Sequence, residues 1–458
     1  MRNLIFGLSC AALVFHADCF CQSKNEQIKQ LQKIAQDNEL RAKNAEEQAE
    51  KYNRIAQEAQ REVERQRYLS LAVGLSRKSL DADDNALAGL LALQAYNYHL
   101  RYKGYEFDKD IYQGLLAALL RFDSGLRKLA GHVQSVRGFI SKPDMPSILA
   151  WEECGRVLRW SDDQGKWEEK ELAPAKEGFE ALGACVRQDN RLWVIGKKKD
   201  AASRVGIYDI TYSSKKIEGV HEQIGQISFS PEASNFYALS GSGHSIFLCD
   251  PQKGSEVVHL GEKIVLMDVS RDGSKLAGAT AEGNLYLWDT KKNYSRAVYK
   301  ISEEGNQITA IAFTPLGRDL VFGDEKGRIN FLSTENGGVR KTLSGHFSEI
   351  KKIVFGNLGS LMAVADKSNT IRVWNASDLS QLPLAIKEDA DIGSFQFLPD
   401  ETQLVCVANG KDVIVHSWPL KTELLAREIC KFIPRNMSID DWDHYVPNAP
   451  YEATCPIK

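Results

Sequence analysis

The stretch Gly283 to Thr290 reads GNLYLWDT, an alternating run of apolar and polar residues that ends in Trp288-Asp289. Strict alternation over so few residues predicts a half-buried strand, and the preceding Gly marks the turn that leads into it. The same ending recurs along the chain in weakened form. Trp160 is followed by Ser-Asp, Tyr208 by Asp209, Cys249 by Asp250, Leu332 by Ser-Thr, Trp374 by Asn375 and Trp418 by Pro419. Successive spacings of Trp160, Tyr208, Cys249, Trp288, Leu332, Trp374 and Trp418 are 48, 41, 39, 44, 42 and 44 residues. A period near forty residues is that of a four-stranded unit repeated in series.

A second marker keeps the same phase. Phe229, Val269, Phe313, Phe355 and Phe397 each close a strand-like run before a turn, at spacings of 40, 44, 42 and 42. Gly-His pairs at Gly131-His132 and Gly345-His346 each place the His 28 residues before its Trp. On these residues, positions 126–420 resemble a WD-repeat β-propeller of seven blades, degenerate in detail because most blades lack Gly-His and three have lost the Trp. The expected fold is therefore an all-β seven-bladed propeller preceded by an α-helical coiled coil and a helical packet. A blade cannot bury both of its faces alone, so the resemblance implies a closed ring. Residues 126–132, LRKLAGH, match the fourth strand of a blade that lacks its first three, whereas the chain after Trp418 looks helical. The upstream segment is thus expected to complete the last blade, and Trp160, Trp288 and Trp374 are expected to be structural.

The N-terminal third has a different texture. Residues 1–21 join Arg2 to the apolar core LIFGLSCAALVF and then DCFCQ, the pattern of a signal peptide with cleavage after Cys21 and a mature start at Gln22. Lipidation of Cys10, Cys19 or Cys21 is the alternative, although Asp18 and Phe20 interrupt the small apolar run that such processing expects. Residues 22–68 are read as one long helix. Between Lys24 and Arg67 there is no Pro or Gly, ten basic and nine acidic residues interleave, and Ile28, Leu31, Ala35, Ala42, Ala45, Ala49, Tyr52, Ala56, Ala59 and Val63 recur at 3–4 spacing. A solvated spacer and a coiled coil, with itself or another chain, both fit this pattern. Residues 69–122 form a more apolar helical packet, similar to the segment that precedes propellers in bacterial signalling ATPases of the STAND type. Asp81, Asp83 and Asn85 mimic the start of a calcium loop. Ala86 and Ala92 replace the Gly and Glu that such a loop requires, so a helix cap is the better reading.

Residues 421–458 form the tail. Its sequence RNMSIDDWDHYVPNAPYEATCP resembles the RNLT..EW..Y....PY..TC tail that closes many bacterial WD-repeat proteins. Ser438 and Asp441 have capping-box spacing, Met437 and Trp442 are placed as a hydrophobic staple, and Tyr445 and Tyr451 add apolar area. The tail is read as a clamp on the ring or the helical packet. Six cysteines follow the leader, of which Cys154, Cys185, Cys249 and Cys406 read as small buried residues, while Cys430 and Cys455 are the pair expected to bridge.

Chemistry is sparse. A net charge of -3 gives no positive field for nucleic acid, and no apolar run is long enough to span a membrane. GxSxG, HExxH, Walker and GxGxxG sequences are missing, and no metal or other cofactor is expected. SGSGH at 240–244 reads as a hairpin tip and GKKKD at 196–200 as a basic hairpin. The expectation is an exported, periplasmic or envelope-associated scaffold that binds proteins and is not an enzyme. Two alternatives stay open. One is an accessory of outer-membrane assembly or secretion; the other is an enzyme with its site in the propeller channel.

Overall fold

A computed structural model describes residues 2–122, 128–129, 131–132, 134–142, 147–163, 166–186, 190–198, 205–209, 215–217, 224–230, 236–250, 254–292, 294–300, 307–409 and 413–455, with side chains from Lys24 onward except at 128, 162–163, 166–167, 205–207, 209, 215–217, 250, 254–255, 300 and 413. The leader side chains, residues 126–127 and Ala130 of the expected closing strand, and residues 456–458 of the tail lie outside this set. The chain divides into two compact units, Met1–Ser70 and Leu71–Lys458.

Helix α1 spans Arg2–Asp81 as one element. It has no break where the packet begins, because the run YLSLAVGLSRKSL contains no Pro and a single Gly costs a helix only about 1 kcal/mol. In the first unit every side chain from Lys24 to Glu64 is exposed. In the second unit, Leu75 and Ala72 on the last turns of α1 are buried with α2 (Asn85–Arg101) and α3 (Lys109–Phe122). Asp84 caps α2 by accepting from the Ala86 amide. Gly114 lets α3 approach α1 closely, since a Cβ there would collide with Ser76 Oγ.

Seven four-stranded antiparallel sheets follow among the described residues. Sheets I to VI occupy 136–173, 179–217, 224–259, 264–300, 308–343 and 350–387, each with its strands in chain order. Sheet VII takes Asp391–Phe397, Gln403–Asn409 and Val413–Pro419, and its fourth strand is the upstream pair Lys128–Leu129, in register with His416 and Val415. The chain cannot supply that strand downstream, because Thr422–Phe432 coils into helix α4.

Register explains the repeated residues. Trp160, Tyr208, Cys249, Trp288, Leu332, Trp374 and Trp418 all lie in third strands, opposite Ile148, Val194, Phe236, Leu276, Leu320, Met362 and Leu404. These positions pack backward onto the preceding sheet. Trp374 joins Val321 and Phe331 of sheet V, Leu332 joins Ala277 and Leu285 of sheet IV, and Trp288 joins Tyr237 and Ile246 of sheet III. Trp160 joins Val405 and Val415 of sheet VII, in a cluster that also takes in Leu129. Burying such faces between sheets is the main source of stability in this architecture. A register shift near the start of the first strand occurs in all seven sheets, a bulge that bends this strand and increases its twist.

Candidate functional site

The loops that join one sheet to the next carry the polar chemistry, and the best built of them runs from sheet V to sheet VI. His346 is buried there, and its Nδ1 lies 2.6 Å from Asp366 Oδ2 at the end of the second strand of sheet VI. Burial lowers the His346 pKa to about 4, partly offset by the Asp366 hydrogen bond, so at neutral pH a neutral ring donates its Nδ1 proton to a carboxylate. The other Asp366 oxygen accepts from the Ser368 amide and hydroxyl, at 2.9 and 2.6 Å. The Ser368 amide also reaches Ser348 Oγ, the Lys367 amide donates to Glu349 O, and Lys367 pairs with Glu349 at 2.5 Å. On the far side Gly327 of sheet V has φ +82 and lies so close that a Cβ would sit 2.7 Å from His346 O. Only glycine fits that approach.

Between these supports Phe347 is 92% exposed, with the Arg372 guanidinium 5.8 Å from its ring centre. Arg372 also donates to Asp366 Oδ2 at 3.3 Å. A large apolar ring is thus held in solvent on a fixed loop.

Sheet I repeats the device with a longer acid. His132 Nδ1 lies 2.9 Å from Glu152 Oε1, Glu152 Oε2 accepts from the Gln134 amide, and Arg156 bridges Glu152 and Glu171. Sheet VII exchanges the partners. Glu388 takes the loop position, His416 Nδ1 lies 2.8 Å from its Oε2, and Trp418 Nε1 and Cys406 Sγ donate to its Oε1. Glu388, Cys406 and His416 are a group that could hold a metal ion, with ligand atoms within 4.8 Å of one another. The hydrogen bonding argues for a polar core instead, because all three donors already point at the carboxylate. Burial, reinforced by Glu388, raises the Cys406 thiol pKa well above the ordinary range, so the thiol keeps the proton it donates to the carboxylate.

Sequence reasoning placed His132, His346 and the tryptophans but missed the acids. A signal was available: Glu152, Asp324 and Asp366 each stand eight residues before Trp160, Leu332 and Trp374. Glu388 and His416 break that spacing and could not be found in this way.

The tail and packet form a second constellation. Cys430 and Cys455 are joined, with Cα atoms 6.0 Å apart. Helix α5 (Ile439–Tyr445) starts with a complete capping box between Ser438 and Asp441. Trp442 and Met437 are buried, Trp442 Nε1 donates to Ala449 O, and Tyr451 lies edge-on to Trp442 at 5.2 Å. Lys78 Nζ sits 5.3 Å from the Tyr445 ring centre. Glu452 accepts from Gln94 and Arg101 of α2 at 2.7 Å each, and Thr454 Oγ1 bonds Gln94 at 3.0 Å. The packet in turn meets the sheets through Tyr112 to Pro419 O and Gln113 to Ala385 O. Cys154, Cys249 and Cys406 are free and buried as expected, whereas Cys185 is only half-buried.

Comparison with known proteins gives the repeats their type. Residues 276–357 match the family model for the anaphase-promoting complex subunit 4 WD40 domain. Those residues resemble WD repeats. It is 25% identical over 147 residues to meiotic recombination protein rec14 of Schizosaccharomyces pombe, across 31% of this chain and 48% of that protein. It is 30% identical over 104 residues to the periodic tryptophan protein 2 homolog of the same yeast, across 22% of this chain and 12% of that protein. The chain therefore spans less than half the length of these curated relatives. The WD40 β-propeller domain of Doa1 superimposes with a TM-score of 0.49 at 17% identity, covering 63% of this chain and 94% of that one. WD repeats in other proteins generally serve as interaction scaffolds. No helix among the described residues is long and apolar enough to cross a membrane.

Proposed function

We propose that this chain is an exported, non-catalytic scaffold in which seven blades close into a ring and hold a protein partner at the loop centred on Phe347. Closure is supported by the pairing of Lys128–Leu129 with the last propeller strand and by the buried cluster joining sheets VII and I. Export is supported by the apolar run behind Arg2 and by the Cys430–Cys455 bridge, because disulfides persist mainly in oxidising compartments.

The observation that carries protein binding is Phe347, a ring 92% exposed on a loop buttressed from both sides. Aromatic anchors on rigid supports contribute most of the energy at protein interfaces, since they bury a large area at small entropic cost. His346 and Asp366 spend their hydrogen bonds on holding that loop, a structural use that favours binding over turnover. The test replaces Phe347 with a photo-crosslinking residue in the chain expressed in its own cells, followed by mass spectrometry. A discrete protein adduct is expected at Phe347 and not at the exposed Leu316, which lies at the opposite end of the blades. No adduct at Phe347, or turnover of a small molecule by the purified chain, refutes the reading. The same spectra are expected to show a mature chain beginning at Gln22.

A further inference from the structure

The helix of the first unit carries an apolar seam with nothing packed on it, and its flanking charges select the occupant. Written as heptads, Ile28 and Val63 fall at a and Leu31 and Tyr52 at d, and six alanines between Ala35 and Ala59 fill other a and d positions. Ile28, Leu31, Tyr52 and Val63 are 51, 66, 70 and 70% exposed. Seven large apolar side chains are exposed between Lys24 and Arg67, and six of them lie at a, d or g, the exception being Leu40. Apolar residues concentrated on one stripe over more than five heptads need a partner helix to leave water.

The charges beside the seam decide which helix. In a parallel, in-register pair each g residue faces the e residue five positions on in its partner. Here those pairs are Gln27 with Gln32, Ile34 with Glu39, Arg41 with Glu46, Gln48 with Asn53, Ile55 with Gln60, and Glu62 with Arg67. Two pairs are opposite in charge, none is like-charged, and two-fold symmetry doubles both attractive contacts. The fully overlapped antiparallel arrangement that matches a to d sets Glu46 against its own copy and brings no opposite charges together across the seam. Within its own helix Glu62 accepts from Gln66 at 2.7 Å and from Arg65 at 2.9 Å, contacts that keep its carboxylate ionised beside the seam. The alanine spine lets the two backbones approach closely. We infer that this helix pairs with a second copy of the same chain as a parallel, in-register two-stranded coiled coil. The inference is independent of what the propeller binds.

The test is sedimentation equilibrium of the full mature chain at tens of micromolar, on wild type, R67E and the double variant E62K/R67E. Wild type is expected at twice the chain mass. R67E sets Glu62 of each copy against a second carboxylate, a repulsion that two-fold symmetry doubles, and is expected to shift the distribution to monomer. E62K/R67E restores opposite charges and the dimer. Far-UV circular dichroism and the thermal midpoint of the sheets, unchanged between variants, exclude misfolding as the cause. An A45C variant adds the orientation: its d-position thiols meet across a parallel pair and crosslink, whereas in the antiparallel pair residue 45 faces 49. A monomeric wild type, a trimer or larger species, failure of the double variant to recover, or no crosslink through the A45C thiols overturns the proposal.

Discussion

Glu401 shows how one side chain ties two blades together. It is buried, adopts φ 56 in the turn after the first strand of sheet VII, and accepts from the Leu358 and Gly359 amides of sheet VI at 2.6 and 3.0 Å and from Ser360 Oγ. Removing a charged acceptor deprives three partly buried donors of their partner, so Glu401→Ala is expected to cost about 2 kcal/mol in denaturant unfolding, a loss that Gly at the same site recovers only by the backbone strain it relieves. His346 predicts a pH response. Its folded pKa of about 4 lies below the unfolded value of 6.5, so the unfolded state binds more protons between these limits. The stability that depends on a neutral His346 is therefore complete above pH 6.5 and lost as pH falls toward 4, by up to about 3 kcal/mol. Asp268 acts in the opposite direction: burial raises its pKa from 3.8 to about 6, so its contribution grows as pH falls through that window. His346→Gln should flatten the acid loss that remains in wild type, as read by chemical denaturation at several pH values; an unchanged pH slope would place the effect elsewhere.

At the scale of elements, the tail is too short to fold alone and depends on its attachments. The Cys430–Cys455 bridge closes a loop of 25 residues, which in the chain-entropy account stabilises by about 3 kcal/mol. Its loss in Cys455→Ser is expected to leave the sheets folded while α5 and the Trp442 cluster loosen. The measurement is limited proteolysis. Cleavage between Phe432 and Tyr451 should appear in the variant or under reductant and be absent from the oxidised wild type. Equal resistance in both would mean that the Gln94, Arg101 and Glu452 contacts suffice to hold the tail.

For the whole molecule, the strand Lys128–Leu129, which precedes sheet I in the chain, pairs with the last strand of sheet VII. Leu129 is also buried in the cluster with Val136, Trp160 and Val415. Leu129→Pro removes a backbone donor and a packed side chain together, an expected loss of about 3 kcal/mol or more. If the ring is sealed at this seam, the loss should appear in the unfolding of all the sheets, measured as a lowered midpoint of a single transition. A change confined to local proteolysis near sheet VII would show that the seam is not what holds the series together.

The sequence by itself determined the repeat and its phase, because Trp374, Trp288 and Trp160 must fill the same gap between sheets and their spacing survives wherever that gap does. It also determined the long helix, whose heptads are a local property of the chain, and the capping box of Ser438 and Asp441, which spans four consecutive residues. Tertiary structure alone decided the rest. Glu388 meets His416 and Trp418 across 28 and 30 residues, Glu401 finds its donors in another sheet, and Gln94 meets Thr454 across 360 residues. No local pattern encodes such partners, since they are set by which strands and helices the folded chain brings side by side. The exposure of Phe347 was decided there too, since no local pattern says which side of the loop behind buried His346 faces water.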